Sequence, residues 1–174
     1  MQHPHIIALW KNLDIFLTRC GQLADTEKPQ ELLEIGASEI HKTAVDYFPK
    51  NVRVKTLDIT PITNPDYLGD ICKKNDTLED NYFDFLCCCE VLEHTNAPWE
   101  APKEIWRVLK PNGYAIISVP FNLFIHPPLP DYWRFSNFGL RELFKQFEIV
   151  ELKELQVQGG SPIQYTLIAK KVVS

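Results

Sequence analysis

The sequence predicts an α/β fold, a doubly wound, mostly parallel sheet with helices on both faces in three α/β/α layers, on three observations. Short apolar or alternating runs recur between stretches of helical periodicity along most of the chain. One run, residues 82–89, is apolar almost without interruption, as a strand covered on both faces must be. The last two runs are joined through Gly159-Gly160-Ser161-Pro162, a connection too short for a crossover helix, so the sheet should close on an antiparallel pair.

From the N-terminus, Ile6, Leu9, Trp10, Leu13, Phe16, Leu17 and Leu23 recur near the helical period and predict a leading amphipathic helix over residues 5–24, with Gly21 a disturbance near its end. Residues 31–35 form a strand ended by Gly36, and residues 52–57 alternate apolar and polar side chains until Asp58. Between these strands, residues 43–48 have room only for a short helix before Pro49 and Asn51. After the central strand at 82–89, Asn96 is placed to cap a helix that tolerates Pro98 in its first turn. That helix runs through Ile105, Val108 and Leu109 to a stop at Pro111-Asn112-Gly113. Residues 114–119 make another buried strand, a Pro-rich loop covers 121–137, and residues 138–147 form a helix with Leu140, Leu143 and Phe144 on one face. Residues 148–155 and 164–171 are the closing strands.

A chain of 174 residues fits one compact domain. Its expected parts are a leading helix (1–28), a core (30–120), a lid loop (121–137), and a C-terminal helix with a β-hairpin (138–174). The net charge is −5, and the basic residues are scattered rather than gathered in a stripe, so the pattern needed to neutralise nucleic-acid phosphates is missing. No apolar run approaches the roughly 20 residues that span a bilayer, and Met1-Gln2-His3-Pro4 opens no signal peptide. A cytoplasmic protein with a small-molecule partner, off the membrane and monomeric or homodimeric, is expected. The five cysteines include the run Cys87-Cys88-Cys89 and no CxxC pair, and they read as small buried hydrophobes in a reducing compartment.

In an open parallel sheet, ligands sit beyond the carboxyl ends of the strands. Those positions hold Gly36, Asp58, Asp70, Glu90 with Glu93 and His94, and Asn122. A glycine after the first strand lets backbone approach a ligand closely. Asp58, about twenty residues on at the end of the second strand, can accept from two ribose hydroxyls, so the pair points to adenosine.

Several stretches carry a resemblance: Leu33-Glu34-Ile35-Gly36-Ala37, Leu57-Asp58, Gly69-Asp70-Ile71, Glu90-Val91-Leu92-Glu93-His94, and the segment from Glu104 through Arg107-Val108-Leu109-Lys110-Pro111-Asn112-Gly113. Over residues 30–120 the chain resembles the class I S-adenosylmethionine-dependent methyltransferases, in particular their small-molecule, type 11-like group. The resemblance implies a Rossmann-like, seven-stranded sheet with the last strand antiparallel, and S-adenosylmethionine as cofactor. It implies cofactor contacts from Glu34, Gly36, Ala37, Ser38, Asp58, Ile59, Asp70, Ile71, Cys89 and Glu90. Methyl transfer would go to an oxygen, nitrogen or carbon nucleophile. One departure stands out: where the family shows three alternating glycines, this chain has Gly36, Ser38 and Ile40.

For transfer, the acceptor must lie in line with the methyl group, and a base is needed only if the acceptor loses a proton. His94 is the first candidate base, with Glu93 its orienter, and His126 in the lid is the second. Bracing of the following helix is the plainer role for Glu93 and His94. Asn122, His126, Asp131, Tyr132, Trp133 and Arg134 are the candidate acceptor contacts, although Asp131 and Arg134 could equally pair with each other. His3, His5 and His41 lack metal-ligand spacing with these residues, and no metal is expected. Two other readings remain: a catalytically inactive methyltransferase-like module that binds or regulates a partner, and a nicotinamide dehydrogenase, against which the lost glycines count.

Overall fold

The computed structural model describes residues 3–36, 44–156 and 160–173. Its centre is a seven-stranded sheet of order β3-β2-β1-β4-β5-β7-β6, formed by β1 (Gln30–Ile35), β2 (Val52–Asp58), β3 (Tyr67–Leu68), β4 (Phe83–Cys89), β5 (Leu109–Pro120), β6 (Glu148–Leu155) and β7 (Gln164–Lys170). Strands β1 to β5 pair in parallel, and β7 runs antiparallel to both β5 and β6. The chain moves outward from β1 to β2 and β3, then returns to the other side of β1 for β4 and β5. That reversal opens a crevice at the carboxyl ends of β1 and β4, the place where such sheets bind ligands.

Alternation along the strands divides the core in two. Leu32, Phe85, Cys87, Ile116 and Ile168 face one side, where Leu13, Phe16, Leu17 and Cys20 of helix α1 (Pro4–Gly21) cover them. Leu33, Leu86, Cys88, Ile117 and Leu167 face the other, under Ala101, Ile105 and Val108 of α2 (Ala101–Val108) and Leu140 of α3 (Asn137–Leu143). The three layers and the doubly wound sheet agree with the sequence reading. Among the described residues, no helix is long and apolar enough to cross a membrane.

Helix α1 starts at Pro4, whose missing N–H costs nothing in a first turn, and the His3 side chain accepts from the His5 N–H. Gly21 closes the helix for a packing reason, since a Cβ there would lie 2.0 Å from the Tyr47 carbonyl oxygen. The short helix after β1 is a 3-10 turn, Ala44–Asp46, while Thr43 lies outside the described residues.

Besides the end of α1, at Gly21 rather than residue 24, three boundaries differ from the expectation. Helix α2 begins at Ala101 rather than after Asn96, because residues 98–100 form a turn first. No loop separates α2 from β5: Leu109 already pairs with Phe83, and Pro111-Asn112-Gly113 is an irregularity within the strand, with Asn112 at φ 67°. Gly113 is required there, as a Cβ would meet the Lys110 and Asp84 carbonyl oxygens at 2.9 and 3.0 Å. Helix α3 ends at Leu143, because Phe144 leaves helical geometry and turns into the core.

Candidate active site

A cavity of about 350 Å³ opens at the switch point, lined by Gly36 after β1, Asp58 and Ile59 after β2, Gly69, Asp70 and Ile71 after β3, and Val91, His94, Thr95 and Asn96 after β4. Pro128, Leu129, Pro130 and Tyr132 of the 121–137 loop close it from above. Five of the cofactor residues expected from the sequence, Gly36, Asp58, Ile59, Asp70 and Ile71, therefore share one cavity with His94 and Tyr132.

Gly36 holds φ +71°, and a Cβ would meet Val91 Cγ2 at 2.7 Å, so the position admits only glycine without strain. Its N–H donates to the Leu57 carbonyl at 2.9 Å, tying the turn to β2. One Asp58 oxygen accepts from the Thr60 N–H at 2.9 Å and the other from the Thr63 hydroxyl at 3.3 Å. A carboxylate has about four lone-pair sites. Two acceptor sites thus remain, which fits the paired hydroxyls of a ribose. Asp70 accepts from the Cys72 N–H at 2.9 Å and pairs with Lys73 at 3.4 Å. Gly69 beside it is packed so closely that a Cβ would lie 2.0 Å from Asn75 Oδ1.

Three expected cofactor residues turn elsewhere. Glu34 accepts from the Ala44 N–H at 2.9 Å, Cys89 lies on the α1 side of the sheet, and Glu90, at φ 54°, accepts from the Ser118 hydroxyl at 2.7 Å and the Gln164 amide at 2.9 Å. Ala37 and Ser38 lie outside the described residues, as does Ile40. Burial raises the Glu34 carboxyl from 4.5 to about 7, opposed by the Ala44 N–H and aided by Asp46. The folded protein therefore holds this proton more tightly than the unfolded chain, and the associated stability, complete below pH 4.5, is lost as pH rises through about 7. Chemical denaturation at pH 5 and pH 8 should show Glu34→Gln gaining on the unsubstituted chain by on the order of 3 kcal/mol at the higher pH. Equal pH dependence of the two chains would refute this.

The loop after β4 is a 3-10 turn, Leu92–His94, which turns Glu93 inward and His94 toward the cavity. Glu93 is 0% exposed, and neither carboxylate oxygen has a hydrogen-bond partner among the described residues. Burial and the neighbouring Glu90 push its carboxyl well above the usual range, against the opposing pull of Arg134. His94 Nε2 stands 3.6 Å from Glu93 Oε1, and His126 Nε2 stands 4.0 Å from the same oxygen. The two imidazole rings meet edge to face at 5.1 Å. Burial, with His126 alongside, lowers the His94 pKa, opposed by the Pro130 carbonyl and Asp131.

The 121–137 loop is fastened over this turn. Tyr132 and Trp133 donate their N–H groups to the Glu93 carbonyl at 2.7 and 3.2 Å, and the Trp133 indole donates to the Thr95 carbonyl at 2.8 Å. Asp131 and Arg134 do pair, through both guanidinium Nη atoms. Arg134 also donates to the Leu123 and Phe124 carbonyls, and Asp131 accepts from the His126 N–H at 3.0 Å. Although burial works against it, Arg134 keeps Asp131 below its ordinary pKa. Asn122, bonded through its N–H to the Pro162 carbonyl, does not line the cavity. Thr95, Asn96 and the prolines at 128 and 130 line it without having been expected at the site. The one signal for them was their position directly after a strand end or inside the lid.

The model of a methyltransferase domain, type 11, matches residues 26–117. No curated protein matches the chain by sequence. Among solved structures, a chain from the Haloferax volcanii complex of the Trm112 methyltransferase activator with a methyltransferase superposes at a TM-score of 0.73 and 16% identity, covering 94% of this chain and 90% of that one. An S-adenosylmethionine-dependent methyltransferase from Methanosarcina mazei gives 0.62 at 20% identity, with 85% and 95% covered. Burkholderia thailandensis 1,6-didemethyltoxoflavin-N1-methyltransferase, solved with 1,6-didemethyltoxoflavin and S-adenosylhomocysteine, gives 0.64 at 17% identity, with 99% and 92% covered. At these identities the likenesses speak for the fold, while the family match spans more than half of the sequence. The chain belongs to the class I methyltransferases of type 11, and its cofactor is S-adenosylmethionine.

Proposed function

We propose that the protein transfers the cofactor's methyl group to a small molecule bound beneath the 121–137 lid, with His94 or His126 taking the acceptor's proton. The observation that carries this reading is a single cavity whose wall joins Gly36, Asp58 and Asp70 to His94 and Tyr132. When bound, the cofactor supplies an electrophilic methyl on sulfur. Everything else is the work of the chain's own residues. Gly36, Asp58 and Asp70 hold the adenosine end, and Leu129, Pro130 and Tyr132 keep water from the reacting atoms. The Pro130 carbonyl, 3.1 Å from His94 Nδ1, can only accept, so a neutral His94 carries its proton there and presents a free Nε2 lone pair. Glu93 Oε1, 3.6 Å from that Nε2, orients the ring.

Incubation with S-adenosylmethionine labelled in its methyl group and a small-molecule extract tests the proposal. Label should enter a low-mass product, and the double substitution His94→Ala/His126→Ala should slow its appearance by about 10²–10⁴-fold. Label confined to macromolecules, or none with a folded protein that binds S-adenosylhomocysteine, would overturn it.

A second reading, a module acting through a protein partner, draws support from the Haloferax neighbour's pairing with an activator and from Ile62 and Leu68, 86% and 60% exposed at the β3 edge of the sheet. Cofactor binding without any methyl transfer would favour it.

A further inference from the structure

We propose that Glu93, His94 and His126 form a binding site for a divalent first-row transition-metal ion at the wall of the cavity. One carboxylate oxygen and one nitrogen from each histidine all lie within 4.8 Å of one another. The three residues come from two segments of the chain, so their spacing in sequence gives no metal signature.

Two features separate this cluster from an ordinary group of polar side chains. Glu93 is fully buried with both oxygens unpartnered among the described residues, and its Oε1 is the atom that both imidazoles face. Leaving a buried carboxylate without hydrogen bonds is strongly unfavourable, and a cation between it and the two rings offsets that cost. The second feature is the tautomer. His94 Nδ1 lies 3.1 Å from the Pro130 carbonyl and His126 Nδ1 lies 3.1 Å from the Pro127 carbonyl. Both Nδ1 atoms are therefore donors, and both Nε2 lone pairs are left free toward Glu93. Metal-bound histidines are held in this way, with the outer nitrogen donating to a carbonyl or carboxylate. The neighbouring carboxyl groups have partners of their own, since Asp131, 3.9 Å from His126 Nε2, is paired with Arg134, and Glu90 accepts from Ser118 and Gln164.

Two imidazoles and one carboxylate suit zinc, iron(II), cobalt or nickel rather than magnesium or calcium, which prefer oxygen ligands. Ligand distances of about 2.0–2.2 Å in a tetrahedral site put ligand atoms about 3.4 Å apart, against 3.6 and 4.0 Å between Glu93 Oε1 and the two Nε2 atoms. Three protein ligands leave a position open, and His94 is the ligand that also lines the cavity. An acceptor hydroxyl bound there would lose its proton more readily. That use rests on the methyl-transfer reading above and would take the place of His94 as proton acceptor, since the ion would hold its Nε2 lone pair, whereas the site itself rests on the three side chains alone.

Titration of the purified, metal-free full chain with cobalt(II), followed by visible absorption and checked by zinc competition, tests the site. One equivalent should give the ligand-field bands of a nitrogen–oxygen site without thiolate charge-transfer absorption, and one equivalent of zinc should remove them. His94→Ala, His126→Ala and the isosteric Glu93→Gln should each abolish these bands, and His3→Ala/His5→Ala should leave them intact. Circular dichroism shows that each variant is folded, and calorimetry with S-adenosylhomocysteine on the same samples reports the cofactor site separately. Absence of stoichiometric bands in the folded unsubstituted chain would overturn the proposal. So would bands that survive in His94→Ala/His126→Ala, or thiolate absorption pointing to the cysteines.

Discussion

Replacing Arg107 with alanine is expected to lower the free energy of unfolding by about 3–5 kcal/mol, the cost of breaking a buried ion pair from one side. The guanidinium donates to both oxygens of Glu104, at 2.8 and 2.7 Å, to the Leu78 carbonyl at 2.8 Å and to the Asn75 carbonyl at 3.1 Å, and it also pairs with Asp80. Glu104 is 5% exposed, and although burial raises its pKa, the Arg107 guanidinium and the Asn75 donors hold it below the ordinary value. Without the guanidinium, the Glu104 carboxylate keeps only Asn75 as a donor, and the two carbonyls lose this partner. Arg107→Lys keeps the charge but not the planar fork, so its loss should be smaller. The effect should extend to the site. Asn75 donates to the Asp70 carbonyl at 3.1 Å and packs against Gly69, so the Glu104–Arg107 pair supports the loop that brings Asp70 to the cavity. Urea unfolding of the three chains measures the loss. A change below 1 kcal/mol for Arg107→Ala would show that the network contributes little.

Asp58→Ala is expected to weaken S-adenosylmethionine binding by about 10–100-fold, the equivalent of the roughly 1.5–3 kcal/mol carried by hydrogen bonds to a charged group. Among the described residues the carboxylate has no ion pair to lose, and its donors, Thr60 and Thr63, belong to one short turn with no buried residue. The fold should therefore survive with little change in stability, and the loss should appear in affinity. Asp58→Asn keeps an acceptor for the Thr60 N–H while giving up one acceptor toward the ligand, and should fall between the two. Calorimetric titration separates them. Equal affinity in all three chains would remove Asp58 from the cofactor site.

Where the core decides local structure, the sequence was legible. The strands at 31–35, 52–57 and 82–89 and the closing hairpin follow directly from runs of buried side chains, because burial on one or both faces leaves a pattern of period two or none. Strand β3 leaves no such pattern: two residues, Tyr67 and Leu68, pair at the sheet edge with Leu68 exposed. The start of α2 and the kink at Pro111-Asn112-Gly113 were misplaced for a related reason. Capping and breaking residues mark where a helix is permitted to begin or end, while direct pairing of Leu109 with Phe83 sets where the strand begins. The strand-end residues Gly36, Asp58, Asp70 and His94 were legible as a group because the fold class itself says where to look. The approach of His126 to Glu93 was not, since it depends on backbone bonds from Tyr132 and Trp133 that fasten the lid to the turn after β4. Nor does the motif containing Glu104 and Arg107 announce that its charges serve the fold rather than the chemistry.

The cavity at the switch point is expected to bind the cofactor although Ser38 and Ile40 replace two family glycines. Isothermal titration calorimetry of the unsubstituted chain with S-adenosylhomocysteine tests this. One site with micromolar affinity is the predicted result, and no heat of binding from a folded sample at millimolar ligand would contradict it.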